Sequence, residues 1–386
     1  MRKNFFGAII FVIAILICGC LSEEKVVTYD MIDGDAEIKS DSPEKIRESE
    51  ISNWVEKNLE SMTLEEKIGQ MIMIGVNGTA LNDEIISSLN KFHFGGMIFF
   101  DRNLENVAQA KKFANDIESA ANQKVPMFFA LDEEGGIVAR GKNFLEVAPS
   151  QESIGLEGDP EAAKRWAIHN ATILKSIGVN LNFAPVTDVG SKDTRSFGDD
   201  PQLVAKFVDA AAQGYESENF LYTLKHFPGI GKSKIDPHQE ISSVEVGKEI
   251  LAAEDIFPFK KIIAAHDNSK FMIMVGHLKY DALDPTTSAS LSQEIITKLL
   301  RDELGYSGVV ITDDLEMGAI KNNVDISTLG VKMILAGGDI ALICHDQESR
   351  QIIYNSILEA VKRGEISEAR IDESVRRILK MKFYLR

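Results

Sequence analysis

Cysteine is nearly absent from the 386 residues: of three, Cys18 and Cys20 fall in the first twenty positions, leaving only Cys344 for the rest. That excludes an intramolecular disulfide in the folded part, and no Cys/His cluster at metal-ligand spacing is visible, so neither a metal nor a cofactor is expected. Basic charge is short as well. Against 59 acidic side chains stand 42 basic ones, a net charge of −17, and such a surface repels nucleic acid and anionic lipid while leaving neutral or cationic partners open. Phosphate-cradling glycine is missing too. The pairs Gly95-Gly96, Gly135-Gly136 and Gly337-Gly338 lack the G-x-x-x-x-G-K-[ST] spacing and suit tight turns at strand ends better than nucleotide binding. No internal repeat is present beyond a strand-helix unit. What is abundant is apolar side chains, 44% of the chain, enough for a sizeable buried core.

The one long apolar run stands at the start. Phe5 to Ile17 follows Arg2 and Lys3; it falls short of the roughly 20 residues a bilayer span requires and suits a signal-peptide core. Its Ile17-Cys18-Gly19-Cys20 ending resembles a lipoprotein signal, which implies cleavage before Cys20 and lipid attachment to it. Residues 1–20 are therefore expected to be a signal, placing the protein outside the cytoplasm, anchored to the cell membrane by lipid or secreted. Residues 21–48 are polar, acidic and poor in aromatics, as a flexible linker is, and residues 49–386 form the domain. Asn77-Gly78-Thr79 and Asn170-Ala171-Thr172 fit glycosylation sequons.

From Ile51 onward, eight short apolar runs alternate with longer amphipathic ones: Gln70 to Ile74, Gly96 to Phe100, Met127 to Leu131, Leu181 to Ala184, Phe220 to Leu224, Phe271 to Val275, Val309 to Thr312 and Ile340 to Cys344. Thr63 with Glu66 forms a capping box ahead of the first. Asp159-Pro160 caps and opens a helix that ends before Gly178. This alternation predicts an α/β fold, a (β/α)8 TIM barrel forming a single catalytic domain, with a doubly wound sheet as the alternative. A barrel places reactive groups just after its strands. Here those positions hold Asp132, Glu133, Glu134 and Arg140; Asp188 and Arg195; Lys225 and His226; His277; Asp313 and Asp314; His345 and Asp346.

Carboxylates, cationic donors and no metal cluster suit hydrolysis of a glycosidic bond, which in its retaining form needs a carboxylate nucleophile and a proton donor. Asp313, at the end of a buried strand, is the better candidate nucleophile; Asp314 stays open for that role, or serves as a structural hydrogen-bond acceptor or helix cap. The proton donor is sought in the loop Lys225-His226-Phe227-Pro228-Gly229-Ile230-Gly231, which continues to Asp236 and His238. A carboxylate that accepts from one imidazole nitrogen raises the basicity of the other, so Asp236-x-His238 is an acid/base pair poised near neutral pH.

These segments, together with Asp132-x-Glu134-Gly135-Gly136-x-Val138-x-Arg140, Asn182-Phe183-Ala184-Pro185-Val186 with Asp188, Arg195-Ser196-Phe197 and Thr312-Asp313-Asp314-Leu315-x-Met317, resemble glycoside hydrolase family 3. The likeness is greatest to its single-domain branch of β-N-acetylhexosaminidases and runs from about Ile51 to the end. It implies a retaining exo-β-N-acetylglucosaminidase acting on a carbohydrate that bears terminal β-linked N-acetylglucosamine. It implies Asp313 as nucleophile, His238 with Asp236 as the acid/base couple, and Asp132, Arg140, Arg195, Lys225 and His226 as sugar-binding residues. Departures are Ile230 where a second His is usual, Pro237 within the Asp-x-His pair, and Ile137 beside the glycine pair, which bear on substrate preference and the motion of the loop. Two rival expectations are a β-glucosidase-like or broad exo-glycosidase of the same family and a non-catalytic sugar-binding lipoprotein.

Overall fold

The computed structural model of the protein describes residues 42–190, 193–233, 243–321 and 323–386. The expected signal with Cys20, most of the linker, and Asp236, Pro237 and His238 lie outside the described residues. The chain divides into Met1–Glu50 and Ile51–Arg386. A helix spans Pro43–Ser61, so regular structure begins ahead of the expected domain start at 49. Pro43 in the first turn and Glu44 beside it are favourable helix starters.

Eight parallel strands close into a barrel in chain order: β1 (Ile72–Gly75), β2 (Gly96–Ile98), β3 (Phe128–Leu131), β4 (Leu181–Asn182), β5 (Leu221–Phe227), β6 (Phe271–Val275), β7 (Val309–Asp314) and β8 (Ile340–Ile343), with β8 pairing back onto β1. A helix follows each strand. In order these are Asp83–Phe92, Val107–Ala121, Pro160–Ser176, Pro201–Ser217, Phe257–Ala265, the π-wound Glu294–Glu303, Ile326–Ala336 and Gln347–Lys362. The caps read from the sequence are in place, Thr63 with Glu66 as the reciprocal box and Asp159 ahead of Pro160, and Asp200 caps a further helix whose first residue is proline. Barrel strands are covered on both faces, which is why they read as continuous apolar runs; β1, β2, β3 and β6 are buried at every position. Phe99, just past β2, is sandwiched between Phe113 of the next helix and Phe129 of β3, tying helical layer to sheet.

Several strand boundaries differ from the apolar pattern; β2 and β4, for example, stop at Ile98 and Asn182. Gln70 closes the helix Leu64–Gln70 instead of opening β1. β5 continues through Lys225 and His226, and β7 through Asp313 and Asp314, so these polar residues belong to the ladder itself. Asn170 is buried, its amide donating to the Glu133 carbonyl at 3.3 Å, which removes it as a glycosylation site. Trp166 is partly buried, packed against the core, and meets His169 edge-on.

Candidate active site

Two irregularities in the barrel ladder fall where chemistry-bearing residues sit. Between β5 and β6 the pairs Lys225↔Met274 and Phe227↔Val275 leave His226 as an extra residue, and between β7 and β8 the pairs Ile311↔Ile340 and Asp314↔Leu342 leave one extra residue on β7. A bulge re-aims side chains locally. Both lie at the C-terminal ends of their strands, the end where barrels hold their sites.

On this rim the charged groups interlock. Lys225 Nζ donates to Asp132 Oδ1 at 2.8 Å and pairs with Glu134 Oε1 at 2.6 Å. Arg195 grips Glu134 with two bonds, Nε to Oε2 and Nη2 to Oε1, each 2.8 Å. Burial alone would raise the Glu134 acid, but Lys225 and Arg195 hold it down to about 2; burial alone would lower Lys225, but Asp132 and Glu134 raise it. Arg140 lies 3.7 Å from Asp132 and 3.8 Å from Asp101, and its buried Nε has no hydrogen-bond partner among the described residues. His226 Nδ1 faces Asp188 Oδ2 at 2.8 Å, and the His226 and Ile230 amides donate to the other oxygen of the same carboxylate. Because a carboxylate accepts, Nδ1 carries the proton, and Nε2 is the ring nitrogen 3.5 Å from Arg195 Nη2.

The neighbouring aspartates of β7 diverge. Asp313 Oδ1 accepts the Asp314 amide at 2.8 Å. Burial pushes the Asp313 acid up, yet His226, His277 and Lys225 outweigh it, and the group lies below its usual range. Asp314 instead spends Oδ1 on the Glu316 and Cys344 amides and has Oδ2 3.5 Å from His345 Nε2; burial, with the charges of Glu316 and Asp313, raises it to about 7. The Asp313 acid is thus lowered and the Asp314 acid raised, so Asp313 is the more readily ionised of the two. His277 is buried, which lowers its pKa. Its Nε2 donates to the Asp314 carbonyl at 2.9 Å and its Nδ1 lies 2.8 Å from the Ser290 hydroxyl, so it braces the end of β7.

Asp132, Arg140, Arg195, Lys225, His226 and Asp313 line one cavity of about 460 Å³, within the size range of small-molecule sites. Phe100, Phe183 and Met274 supply apolar wall. Three cations, Arg140, Arg195 and Lys225, meet four carboxyl groups, Asp132, Glu134, Asp313 and Asp314, the last of them raised, so the lining carries little net charge. Such a pocket offers many hydrogen bonds without selecting for charge, which suits a polyhydroxylated neutral ligand.

Residues 63–381 match the model of the glycosyl hydrolase family 3 N terminal domain. The chain belongs to glycoside hydrolase family 3. Among curated members, it is 33% identical over 335 residues to "Beta-hexosaminidase A" of Pseudoalteromonas piscicida, covering 79% of this chain and 56% of that one. It is 34% identical over 301 residues to "Beta-hexosaminidase" of Xylella fastidiosa (strain M12), covering 75% and 87%. Among solved structures, a glycoside hydrolase family 3 beta-N-acetylglucosaminidase from Paenibacillus sp. str. FPU-7 superimposes with a TM-score of 0.81 at 36% identity, over 84% of this chain and 62% of that one. A family 3 member from Mycobacterium smegmatis gives 0.76 at 26% identity, over 84% and 98%. The chain thus spans little more than half the length of the Pseudoalteromonas relative and under two thirds of the Paenibacillus chain.

Within this family 3 barrel, the rim assembles every described residue singled out for sugar binding, together with Asp313. Asp236 and His238 are outside the described residues. Two participants were underrated by strand-end reading. Glu134, which binds both Arg195 and Lys225, stood among the strand-end residues without an assigned role. Asp188, which fixes the His226 tautomer, sits 38 residues from its partner, a separation that no local pattern reveals.

Proposed function

We propose that the protein is a retaining exo-β-N-acetylglucosaminidase that removes terminal β-linked N-acetylglucosamine, and that it works outside the cytoplasm, tethered by lipid on Cys20. The observation that carries the reaction is the electrostatic division on β7: an ionised Asp313 facing a near-neutral, polar cavity. The names of the hexosaminidase relatives support the same substrate class. In this reading Asp313 attacks the anomeric carbon and forms a glycosyl ester. His238, kept basic by Asp236, protonates the departing oxygen and then takes a proton from the water that cleaves the ester. Arg140, together with the Lys225, Arg195, Asp132 and His226 groups, holds the sugar's hydroxyl and N-acetyl oxygens. The test uses 4-nitrophenyl β-GlcNAc beside the matching β-glucoside. Release from the first and a fluorosugar adduct mapped by mass spectrometry to Asp313 support the proposal; an adduct on Asp314, or release from neither substrate, overturns it. His238→Ala is expected to slow a natural leaving group far more than nitrophenolate, because only the former needs protonation. The tether is tested by feeding labelled fatty acid: incorporation lost in Cys20→Ser supports it, and equal incorporation refutes it.

A further inference from the structure

We infer that Glu133 is a positioning residue for sugar binding: its buried carboxyl clamps the backbone at Arg140 and so sets where that guanidinium stands at the catalytic cavity. The link to sugar rests on the proposed reaction; the clamp itself does not.

Beyond β3 the chain makes a small hairpin, Glu133–Gly135 against Val138–Ala139, with Glu133 opposite Ala139. Gly135 and Gly136 turn it with φ of +98° and +57°, and a Cβ on Gly135 would fall 2.4 Å from the Pro149 carbonyl oxygen, so the tip is confined to one shape. Asp132 and Glu134 line the cavity from the outgoing strand, and Arg140 lines it from just past the returning one. Side chains alternate along a strand. Glu133, between those two carboxylates, therefore turns away from the cavity, and it is fully buried.

The backbone of Glu133 is tied to the barrel, because Asn182 of β4 accepts its amide at 3.0 Å and donates to its carbonyl at 2.8 Å. Its side chain is tied to the far end of the hairpin, where Oε2 accepts the amides of Arg140 at 3.0 Å and Gly141 at 3.3 Å. One residue thus fastens the returning strand to the barrel. The Arg140 guanidinium reaches Asp132 and Asp101 only at 3.7 and 3.8 Å, longer than hydrogen bonds, so its place is set chiefly by the backbone that Glu133 holds. Burial raises the Glu133 acid to about 7 against the pull of those two amides and of Arg140. The clamp does not depend on charge: one oxygen takes both amides, and Oε1 has no hydrogen-bond partner among the described residues. Glutamine offers the same acceptor without a charge, and methionine fills the space with no such acceptor.

Two measurements on the whole protein test the inference. Amide hydrogen exchange in the peptide that holds Arg140 and Gly141 reads the clamp without substrate: it is expected to quicken about tenfold in Glu133→Met and to stay within about twofold of wild type in Glu133→Gln. Glu133→Asp, one methylene too short to reach both amides, takes the place of Glu133→Met if the latter does not fold. Kinetics on 4-nitrophenyl β-GlcNAc read the consequence. Loss of the clamp should raise KM about tenfold and leave kcat within about threefold, as removal of binding common to ground and transition states does. That rise should vanish in an Arg140→Ala background, where no guanidinium is left to place. Unchanged exchange in the variant without the clamp, or equal damage in Glu133→Gln, overturns the clamp; a rise in KM that adds in full to that of Arg140→Ala overturns its action through Arg140. Wild-type enzyme inert on this substrate refutes the proposed reaction, while the exchange measurement still decides the clamp.

Discussion

At Asp314, burial and the charges of Glu316 and Asp313 raise the acid to about 7, while its neighbour Asp313 stays ionised. Asparagine reproduces the shape and the acceptor of a protonated aspartic acid, so Asp314→Asn is expected to keep kcat at pH 6 within about tenfold of wild type, whereas Asp313→Asn loses about 10⁴-fold or more, as enzymes deprived of their nucleophile do. Equally deep losses in the two variants would remove the distinction. Glu134 makes a separate prediction about stability. Its acid is held at about 2, against an ordinary 4.5 for an unfolded chain; a depressed carboxylate stabilises the fold above pH 4.5 and loses that contribution as pH falls toward 2. The gap corresponds to about 3 kcal/mol. Urea unfolding should show Glu134→Gln less stable by about that amount at pH 7, with the deficit shrinking by about half at pH 3. A deficit unchanged with pH would mean the charge is not responsible. These electrostatic fates were not legible in the sequence, because Asp313 and Asp314 differ only in which way a bulged strand turns them.

The eight strands were legible because a parallel barrel strand is buried on both faces and therefore writes itself as an apolar run. Its ends were not. Lys225, His226, Asp313 and Asp314 are polar yet lie within the strands, so a reading that follows hydrophobicity stops at Leu224 and Thr312, just short of the chemistry. The outer helices carry signals of another kind. Asp209 and Glu216 lie seven residues apart on one face of Pro201–Ser217, and both reach His266 at the end of Phe257–Ala265, at 2.9 and 3.0 Å. Burial alone would lower the His266 pKa, but hydrogen bonds and charge from Glu216 and Asp209 raise it above 6.5. A histidine raised in the fold stabilises it fully below pH 6.5 and ceases to as pH rises through the folded value. His266→Gln keeps a hydrogen bond but no charge, so wild type should exceed it by about 1–2 kcal/mol at pH 5.5, with the advantage falling away as the pH is raised through the folded value. A constant difference across that range would assign the contact to packing.

With a single cysteine, buried Cys344, among its described residues, the barrel is fastened at its base by the last helix, Glu368–Lys382. Asp339, just before β8, accepts from Arg301, Ser374 and Arg377, the latter two on that helix. Lys382 is fully buried and donates to Gln70 Oε1 at 2.6 Å and to the Gly95 carbonyl at 2.8 Å, the segments that lead into β1 and β2. Contacts that join residues about 300 positions apart have no local signature, so this closure was invisible in the sequence although the barrel was not. It carries an unusual charge cost: burial lowers the Lys382 pKa from 10.5 to about 7, with Glu118 only partly offsetting it. Between those two values the unfolded chain binds a proton that the folded chain does not, so the stability of the whole barrel rises with pH through that window; below about 7 both states are charged and the penalty of burying the ammonium is present in full. Lys382→Met removes the titration and also strips Gln70 and Gly95 of a donor, so its net effect at one pH mixes two terms. The difference between wild type and variant isolates the charge: it should shift in favour of wild type by a few kcal/mol between pH 7 and pH 10, on the order of the 1.4 kcal/mol that each tenfold step in proton affinity represents. Parallel stability curves for the two proteins across that interval would mean that Lys382 stays protonated in the folded barrel, with water or Glu118 carrying its charge.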